Sequence, residues 1–329
     1  MHRVLVAGKL HDSGLAILRA AGDITLDYVE DLGAEAMLAR LPQAEAVLLR
    51  TQPFDAATVA RAPALKIVSR HGVGYDSVDV AALTARGIPL TIVGDVNAQT
   101  VAEHAMLLLM AASRRLLAYD RAVRPGGDWN FRNSLAAREI CGKTLLIIGL
   151  GRIGRQLARM AAGFSIRVLA YDPYLATEPP EGVVMVADLA EGLRAADLVS
   201  LHMPRTDSPV LGAAEIAMLR PQAVIVNAAR GGAVDEDALA SALSAGRLHG
   251  AALDVFEREP PQPGAAILAR SEAVFTPHSA SMTLECAERM AVMAARNIVD
   301  FFRGSLDPAL VVNAAEIGFA AKQVGGDAA

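Results

Sequence analysis

Three short apolar runs each end on a residue that can move a proton or hold an anion: Arg230 in VNAARGGAVDE, Glu259 in ALDVFEREP and His278 in FTPHSAS. Singly, each has an ordinary reading as a surface charge, a solvated carboxylate or a turn-bound histidine. Together they fit one chemistry. Hydride addition to a ketone builds negative charge on the carbonyl oxygen, which an imidazolium quenches by giving up its proton. His278 is the candidate acid. A neighbouring Glu259 would stabilise the charged ring and raise its pKa. Arg230 would clamp a substrate carboxylate through its planar fork of donors and polarise the ketone.

A second constellation supplies the hydride carrier. The run Thr144 to Ile148 leads directly into GLGRIG, Gly149 to Gly154, and then into the helical pattern QLARMAAGF. Gly149 permits the tight strand-to-helix turn, Gly151 leaves room for a pyrophosphate against the backbone, and Gly154 lets helix and strand pack closely. The N–H groups of Arg152 and Ile153, at the positive end of the helix, are placed to donate to the diphosphate. A glycine motif alone also marks ordinary turns. Here Asp172 follows in RVLAYDP, about 20 residues on, where a carboxylate accepts ribose hydroxyls and repels a 2′-phosphate. No Arg or Lys follows in Pro173, Tyr174 and Leu175, so the expectation is NAD rather than NADP. Asp254, at another strand end, can accept from the nicotinamide carboxamide, its simpler reading being a turn cap. His202 and Asp235 read as structural.

Near the front, SRHGVGYD follows the run KIV, so the backbone N–H groups of Val73 and Gly74 offer carboxylate binding or merely a tight turn.

These residues need a scaffold that brings distant positions together. Short apolar runs, Val4 to Val6, Ala46 to Leu49, Leu65 to Val68, Thr144 to Ile148, Arg167 to Tyr171, Leu198 to Leu201, Ala223 to Asn227, Gly250 to Val255 and Ala273 to Phe275, alternate with helix-like segments. That pattern predicts an α/β chain with two doubly wound parallel sheets. In open sheets of this kind the carboxyl ends of the strands face one crevice. VAEHAMLLLMAASRRLL, Val101 to Leu117, reads as one long helix bridging the domains, with Thr100 or Asn97 as its cap. The expected division is a discontinuous substrate domain, 1–97 plus 291–329, and an NAD-binding domain, 98–290, with a cleft between them.

The bulk numbers agree with such a molecule. A chain of 329 residues accommodates two domains. Hydrophobic residues make up 53% and charged residues 20%, with a net charge of −5 and a pI near 5.8; the basic residues are scattered, which argues against a nucleic-acid partner. Cys141 and Cys286 lack metal-ligand spacing and read as packing residues, so no metal is expected. The longest apolar run, Ala105 to Ala112, is too short for a membrane span, and no leader is evident. The expected location is the cytoplasm. The GGDAA tail is expected to be disordered.

The order GLGRIG, NAARGG, ALDVFEREP and TPH resembles the D-isomer-specific 2-hydroxyacid dehydrogenase family, particularly its phosphoglycerate dehydrogenase-like members. The likeness extends to SRHGVGYDSVDV, VAEHAMLLLMAASRR and HMPRTDSP. It implies a Rossmann NAD-binding domain, a flavodoxin-like substrate domain, and a catalytic set at Arg230, Glu259 and His278. It further implies cofactor contacts at Arg152, Ile153, Asp172, Met203, Ala228, Asp254, His278 and Ala280, and a D-2-hydroxy acid or 2-oxo acid substrate of phosphoglycerate or hydroxypyruvate/glycerate type. Arg70 corresponds to a position where phosphoglycerate-type members carry a cation near the distal phosphate. Trp129 falls in a region near the dimer contact of relatives, although a solitary Trp is more often core. A homodimer is expected, the apolar face of the Val101 to Leu117 helix being buried there or between domains. Two features depart from the family: SAS after His278 lacks the usual glycine, which would narrow the nicotinamide pocket, and the chain ends soon after Val312, so feedback through a C-terminal regulatory domain is not expected. Other classes remain open, namely an NAD-sensing co-repressor-like binding protein and a formate- or phosphite-type dehydrogenase.

Overall fold

The computed structural model describes residues 1–30 and 33–320; the GGDAA tail lies outside them. The chain divides into two compact units, Met1–Asn97 with the segment from Met282, and Ala98–Ser281.

The first unit is built on β1 (His2–Ala7), β2 (Ile24–Val29), β3 (Ala46–Leu49), β4 (Ile67–Arg70) and β5 (Leu90–Thr91), in the order β2-β1-β3-β4-β5. Every pairing is parallel, which gives the flavodoxin-like strand order. The AVLL of β3 is buried at all four positions, as parallel strands covered on both faces must be. One face packs on the helices Asp12–Ala20 and Leu284–Arg303, where Leu18, Met290, Ala294 and Ile298 meet Val4, Ala46 and Ile67. The other holds Met37, Leu41, Phe54 and Leu83. The two helices approach so closely that a Cβ on Gly14 would lie 2.7 Å from the Ala291 carbonyl oxygen.

The second unit carries β6 (Thr144–Ile148), β7 (Arg167–Tyr171), β8 (Val183–Met185), β9 (Leu198–Leu201), β10 (Ala223–Asn227), β11 (Leu248–Leu253) and β12 (Ala273–Phe275). Their order is β12-β11-β10-β9-β6-β7-β8, again parallel throughout. The chain reverses its direction of travel across the sheet between β6 and β9. That junction is the topological switch point, outside which ligands of open α/β sheets bind. Because all strands run the same way, the segments following β6, β9, β10, β11 and β12 emerge on one edge.

Several local expectations need correction. β2 is a half-exposed edge strand with polar residues in alternation, β8 is an edge strand of only three residues and β5 has only two, so none gives an apolar run long enough to stand out. The strand expected at Gly250 to Val255 begins two residues earlier. His249 interrupts the apolar pattern yet is buried, with its Nε2 2.9 Å from the Ser113 carbonyl oxygen. The long helix spans Ala98–Ser113, with Asn97 just before it and Thr100 inside it; Arg115 turns left-handed at φ 53° and a separate helix follows, Leu116–Val123. The second unit ends at Ser281 rather than at residue 290, because Leu284–Arg303 is one unbroken helix. Cys286 is buried as expected, but Cys141 is exposed. Trp129 is not core: it is 60% exposed, with the Arg132 guanidinium 5.6 Å from its ring centre.

Candidate active site

The glycine turn after β6 is shaped by steric limits that only glycine meets. Gly149 has φ +95°, and a Cβ there would sit 2.5 Å from the His202 carbonyl oxygen. A Cβ on Gly154 would collide with the Gly149 carbonyl, whereas one on Gly151 would meet nothing within 4 Å. The open space over Gly151 lies where the helix Arg152–Gly163 begins, and Gly151 caps that helix without a side-chain acceptor. A diphosphate therefore fits the place on two counts: room against the backbone, and first-turn N–H groups directed at it. Asp172, at the end of β7, accepts from Leu150 N at 2.9 Å and from Tyr174 N at 3.0 Å. Its carboxylate is thus fixed to the glycine turn itself, with lone pairs left for ribose hydroxyls.

Across the switch point, His202 follows β9 and bonds to Ser200 Oγ through Nε2 at 2.8 Å. Although part of the residue reaches solvent, its Nδ1 is buried, and burial lowers its pKa to about 4. It stays neutral and structural. Asp235 likewise caps the helix Glu236–Ser244, accepting from Ala238 N at 2.9 Å.

The three candidate catalytic residues emerge after β10, β11 and β12. His278 Nδ1 and Glu259 Oε2 are 2.8 Å apart, and Glu259 Oε1 is oriented by Phe256 N at 3.1 Å. The bond to Glu259 raises the His278 pKa above its ordinary value, more than partial burial and the nearby Arg230 charge lower it. Burial pulls Glu259 upward, but the bond to His278 and its charge outweigh this and leave the carboxyl lowered. Arg230 sits on a turn formed by buried Asn227, which accepts from Ala229 N at 3.0 Å and donates to the Arg230 carbonyl at 2.9 Å. Gly231 presses that turn onto Phe256, leaving no room for a Cβ. Asp254, 1% exposed, accepts from Thr276 Oγ1 at 2.6 Å, Ser279 N at 2.8 Å and Ala280 N at 3.0 Å. Burial would raise its carboxyl, but these donors and His104 together hold it below the usual carboxylate range. Met203 lies next to His202 in the segment after β9, Ala228 begins the segment after β10, and Ala280 lies in the loop beyond β12.

Residues 106–280 match the family model for the NAD-binding domain of D-isomer specific 2-hydroxyacid dehydrogenases. A glyoxylate reductase of Korarchaeum cryptofilum is 37% identical over 317 residues, covering 94% of this chain and 95% of that protein. The chain belongs to the D-isomer specific 2-hydroxyacid dehydrogenase family. A D-3-phosphoglycerate dehydrogenase of Archaeoglobus fulgidus is 36% identical over 306 residues, 92% of this chain but 58% of the relative. This dehydrogenase-family chain thus spans little more than half the length of the phosphoglycerate dehydrogenases it matches. Among solved structures, the TT0316 protein of Thermus thermophilus superposes with a TM-score of 0.84 at 33% identity, covering 94% of this chain and 99% of its own.

The remaining expected site residues of this family member belong to the first unit. Arg70 ends β4 and donates through Nη1 to the His71 carbonyl at 2.9 Å. Val73 packs its side chain into the core beneath the helix Leu284–Arg303, which fixes the backbone running into Gly74. Sequence reading overlooked His71, whose pKa burial lowers to about 4 with help from the Arg50 and Arg70 charges. It also overlooked His104 and Thr276. A histidine inside an apolar helix and a threonine at a strand end carry no signal until the fold sets both against Asp254. Among the described residues, no helix is long and apolar enough to cross a membrane, and no group of three His, Cys, Asp or Glu could hold a metal ion.

Proposed function

We propose that this chain is an NAD-dependent dehydrogenase acting at C2 of a small D-2-hydroxy acid or 2-oxo acid. The observation that carries the reading is the 2.8 Å pairing of His278 with Glu259, beside Arg230, on the sheet edge that also presents the glycine turn. Bound nicotinamide supplies or accepts the hydride. In the reducing direction His278, held cationic by Glu259, delivers a proton to the carbonyl oxygen. Arg230 orients the substrate carboxylate and stabilises the developing charge. In the oxidising direction the neutral imidazole accepts the hydroxyl proton from the same position.

Gly149, Gly151, Arg152, Ile153 and Gly154 would hold the diphosphate. Asp172 would hold the ribose and select NAD over NADP. Met203, Ala228 and Ala280 would line the nicotinamide end, with Asp254 accepting from its carboxamide. On the substrate side, Val73 and Gly74 would bind the carboxylate through backbone N–H groups, and Arg70 would meet a second polar or anionic group.

The full-length likeness to a glyoxylate reductase and the likeness to phosphoglycerate dehydrogenases support a substrate of glyoxylate, hydroxypyruvate/glycerate or phosphoglycerate type. The segment carrying Leu107, Met110, Leu116, Leu117, Trp129 and Leu135, all exposed, supports a homodimer. The enzyme is read as cytoplasmic.

The test is a panel of 2-oxo acids, 2-hydroxy acids, formate and phosphite with both nicotinamide cofactors, repeated with His278→Ala. Turnover of a 2-oxo acid by the parent, lost in the variant while NADH still binds, is the expected result. NAD binding without turnover of any acid would favour a binding protein, and turnover of formate or phosphite alone would move the substrate class.

A further inference from the structure

Two side chains behind the candidate active site have no part in the reading above. His104 lies on the helix Ala98–Ser113, and Thr276 is the first residue after β12. The Thr276 hydroxyl donates to Asp254 Oδ1 at 2.6 Å, and its oxygen is 3.0 Å from His104 Nε2, which is itself 3.4 Å from the same carboxylate oxygen. A hydroxyl has one proton. With that proton directed at the carboxylate, the oxygen accepts from His104, so a directed chain runs from His104 through Thr276 to Asp254.

The other side of Asp254 grips the loop bearing the imidazole. Its main-chain carbonyl accepts from His278 N at 2.7 Å, while its carboxylate oxygens accept from Ser279 N at 2.8 Å and Ala280 N at 3.0 Å. Three consecutive residues are thereby tied to one residue, two of them through its side chain, and His278 is held at φ 50°, a left-handed conformation that a residue with a Cβ adopts only when its surroundings enforce it. Rotation of the carboxylate would release both amides together. Thr276 opposes that rotation from behind.

We propose that Thr276, backed by His104, is a positioning residue for the His278 imidazole: it fixes the carboxylate plane of Asp254 and through it the loop 278–280. The inference rests on His278 being the proton-transfer group. Neither Thr276 nor His104 touches substrate in this account; both act through Asp254.

The test uses the full chain with NADH and two probe acids, glyoxylate and hydroxypyruvate. Thr276→Val keeps the shape and removes the hydroxyl, Thr276→Ser restores it, and His104→Leu removes only the outer donor. Because a misplacement of about 1 Å near reacting atoms costs on the order of 100-fold, Thr276→Val is expected to lower kcat roughly 10- to 100-fold. KM for the acid and calorimetric Kd for NADH should stay within about threefold, since only transition-state geometry is lost. Thr276→Ser should recover most of the rate, and His104→Leu should fall between. A structural role alone would lower Tm and leave kcat in place. Unchanged kcat in Thr276→Val, or a loss that Thr276→Ser does not recover, overturns the inference if His278→Ala is inactive. A fully active His278→Ala overturns both this inference and the reading beneath it. If Thr276→Val fails to bind NADH, His104→Leu decides: parental kcat in that variant overturns the proposal.

Discussion

Replacing Asp254 by Asn changes one atom's chemistry in a site where both carboxylate oxygens already accept from the protein. Oδ1 accepts from Thr276 and Ser279, and Oδ2 accepts from Ala280. An asparagine oxygen at the Oδ1 place turns its NH₂ against the Ala280 N–H; the opposite rotamer confronts two donors instead of one. The milder choice loses one hydrogen bond to a charged group, about 1.5–3 kcal/mol, and strands a buried N–H, about 1–3 kcal/mol. Relief from burying a charge offsets part of this, so a net loss of roughly 2–4 kcal/mol is expected. For a unit of this size that lowers Tm by roughly 5–15 °C, measured by circular dichroism. The same change frees the His278 loop, and kcat should fall on the order of 100-fold. The pH dependence carries its own sign. Because the folded pKa lies below the unfolded one, the carboxylate's contribution is complete above the unfolded value of about 3.9 and disappears as pH falls through the lowered folded value. The parent–variant difference should therefore be flat through neutral pH and shrink only in acid. A Tm within about 2 °C of the parent, together with unchanged turnover, would refute the reasoning.

Four further outcomes are expected. Reduction of a 2-oxo acid should decline as pH rises through the raised pKa of His278, and Glu259→Gln should move that decline to lower pH; a profile that does not move removes Glu259 from the pair. Gly14→Val, whose side chain must enter space 2.7–2.9 Å from Ala291, should destabilise the first unit by roughly 3 kcal/mol in urea, whereas a neutral result would show that the helices separate freely. Asp172→Asn should weaken NADH binding more than NADPH binding, read by calorimetry; an equal loss would limit Asp172 to holding the Leu150 and Tyr174 amides. Arg70→Ala should raise KM for a dianionic acid such as phosphohydroxypyruvate far more than for glyoxylate, and an equal effect on both would end its role in recognising a second group.

The sequence made the second unit legible wherever two signals coincided. GLGRIG sat between a strand and a helix with Asp172 at the right remove, and Arg230, Glu259 and His278 each closed an apolar run, so topology alone implied their convergence on one sheet edge. Less visible was everything held by contact across the fold. Asp172 reads as a ribose ligand, yet its carboxylate also binds Leu150 N and Tyr174 N, and no spacing rule encodes that second duty. His249 looked like a break in a strand because its polar ring has a buried partner 136 residues away. The edge strands β2 and β8 give weak signals for different reasons: solvent on one side lets Thr25 and Asp27 interrupt the apolar pattern of β2, and β8 has only three residues.

The core of the first unit draws on Val4, Leu18 and Ile67 from the front of the chain and on Met290, Ala294 and Ile298 from beyond the second unit. A ribosome adding about 5–20 residues per second needs roughly 10–40 s after Asn97 to reach Met282. During that wait, the sheet face that Leu284–Arg303 will cover is bare, and the second unit gains its whole sequence before that helix is made. The part synthesised first is thus the last to be finished, and the nascent protein depends on whatever shields that apolar face in the interval.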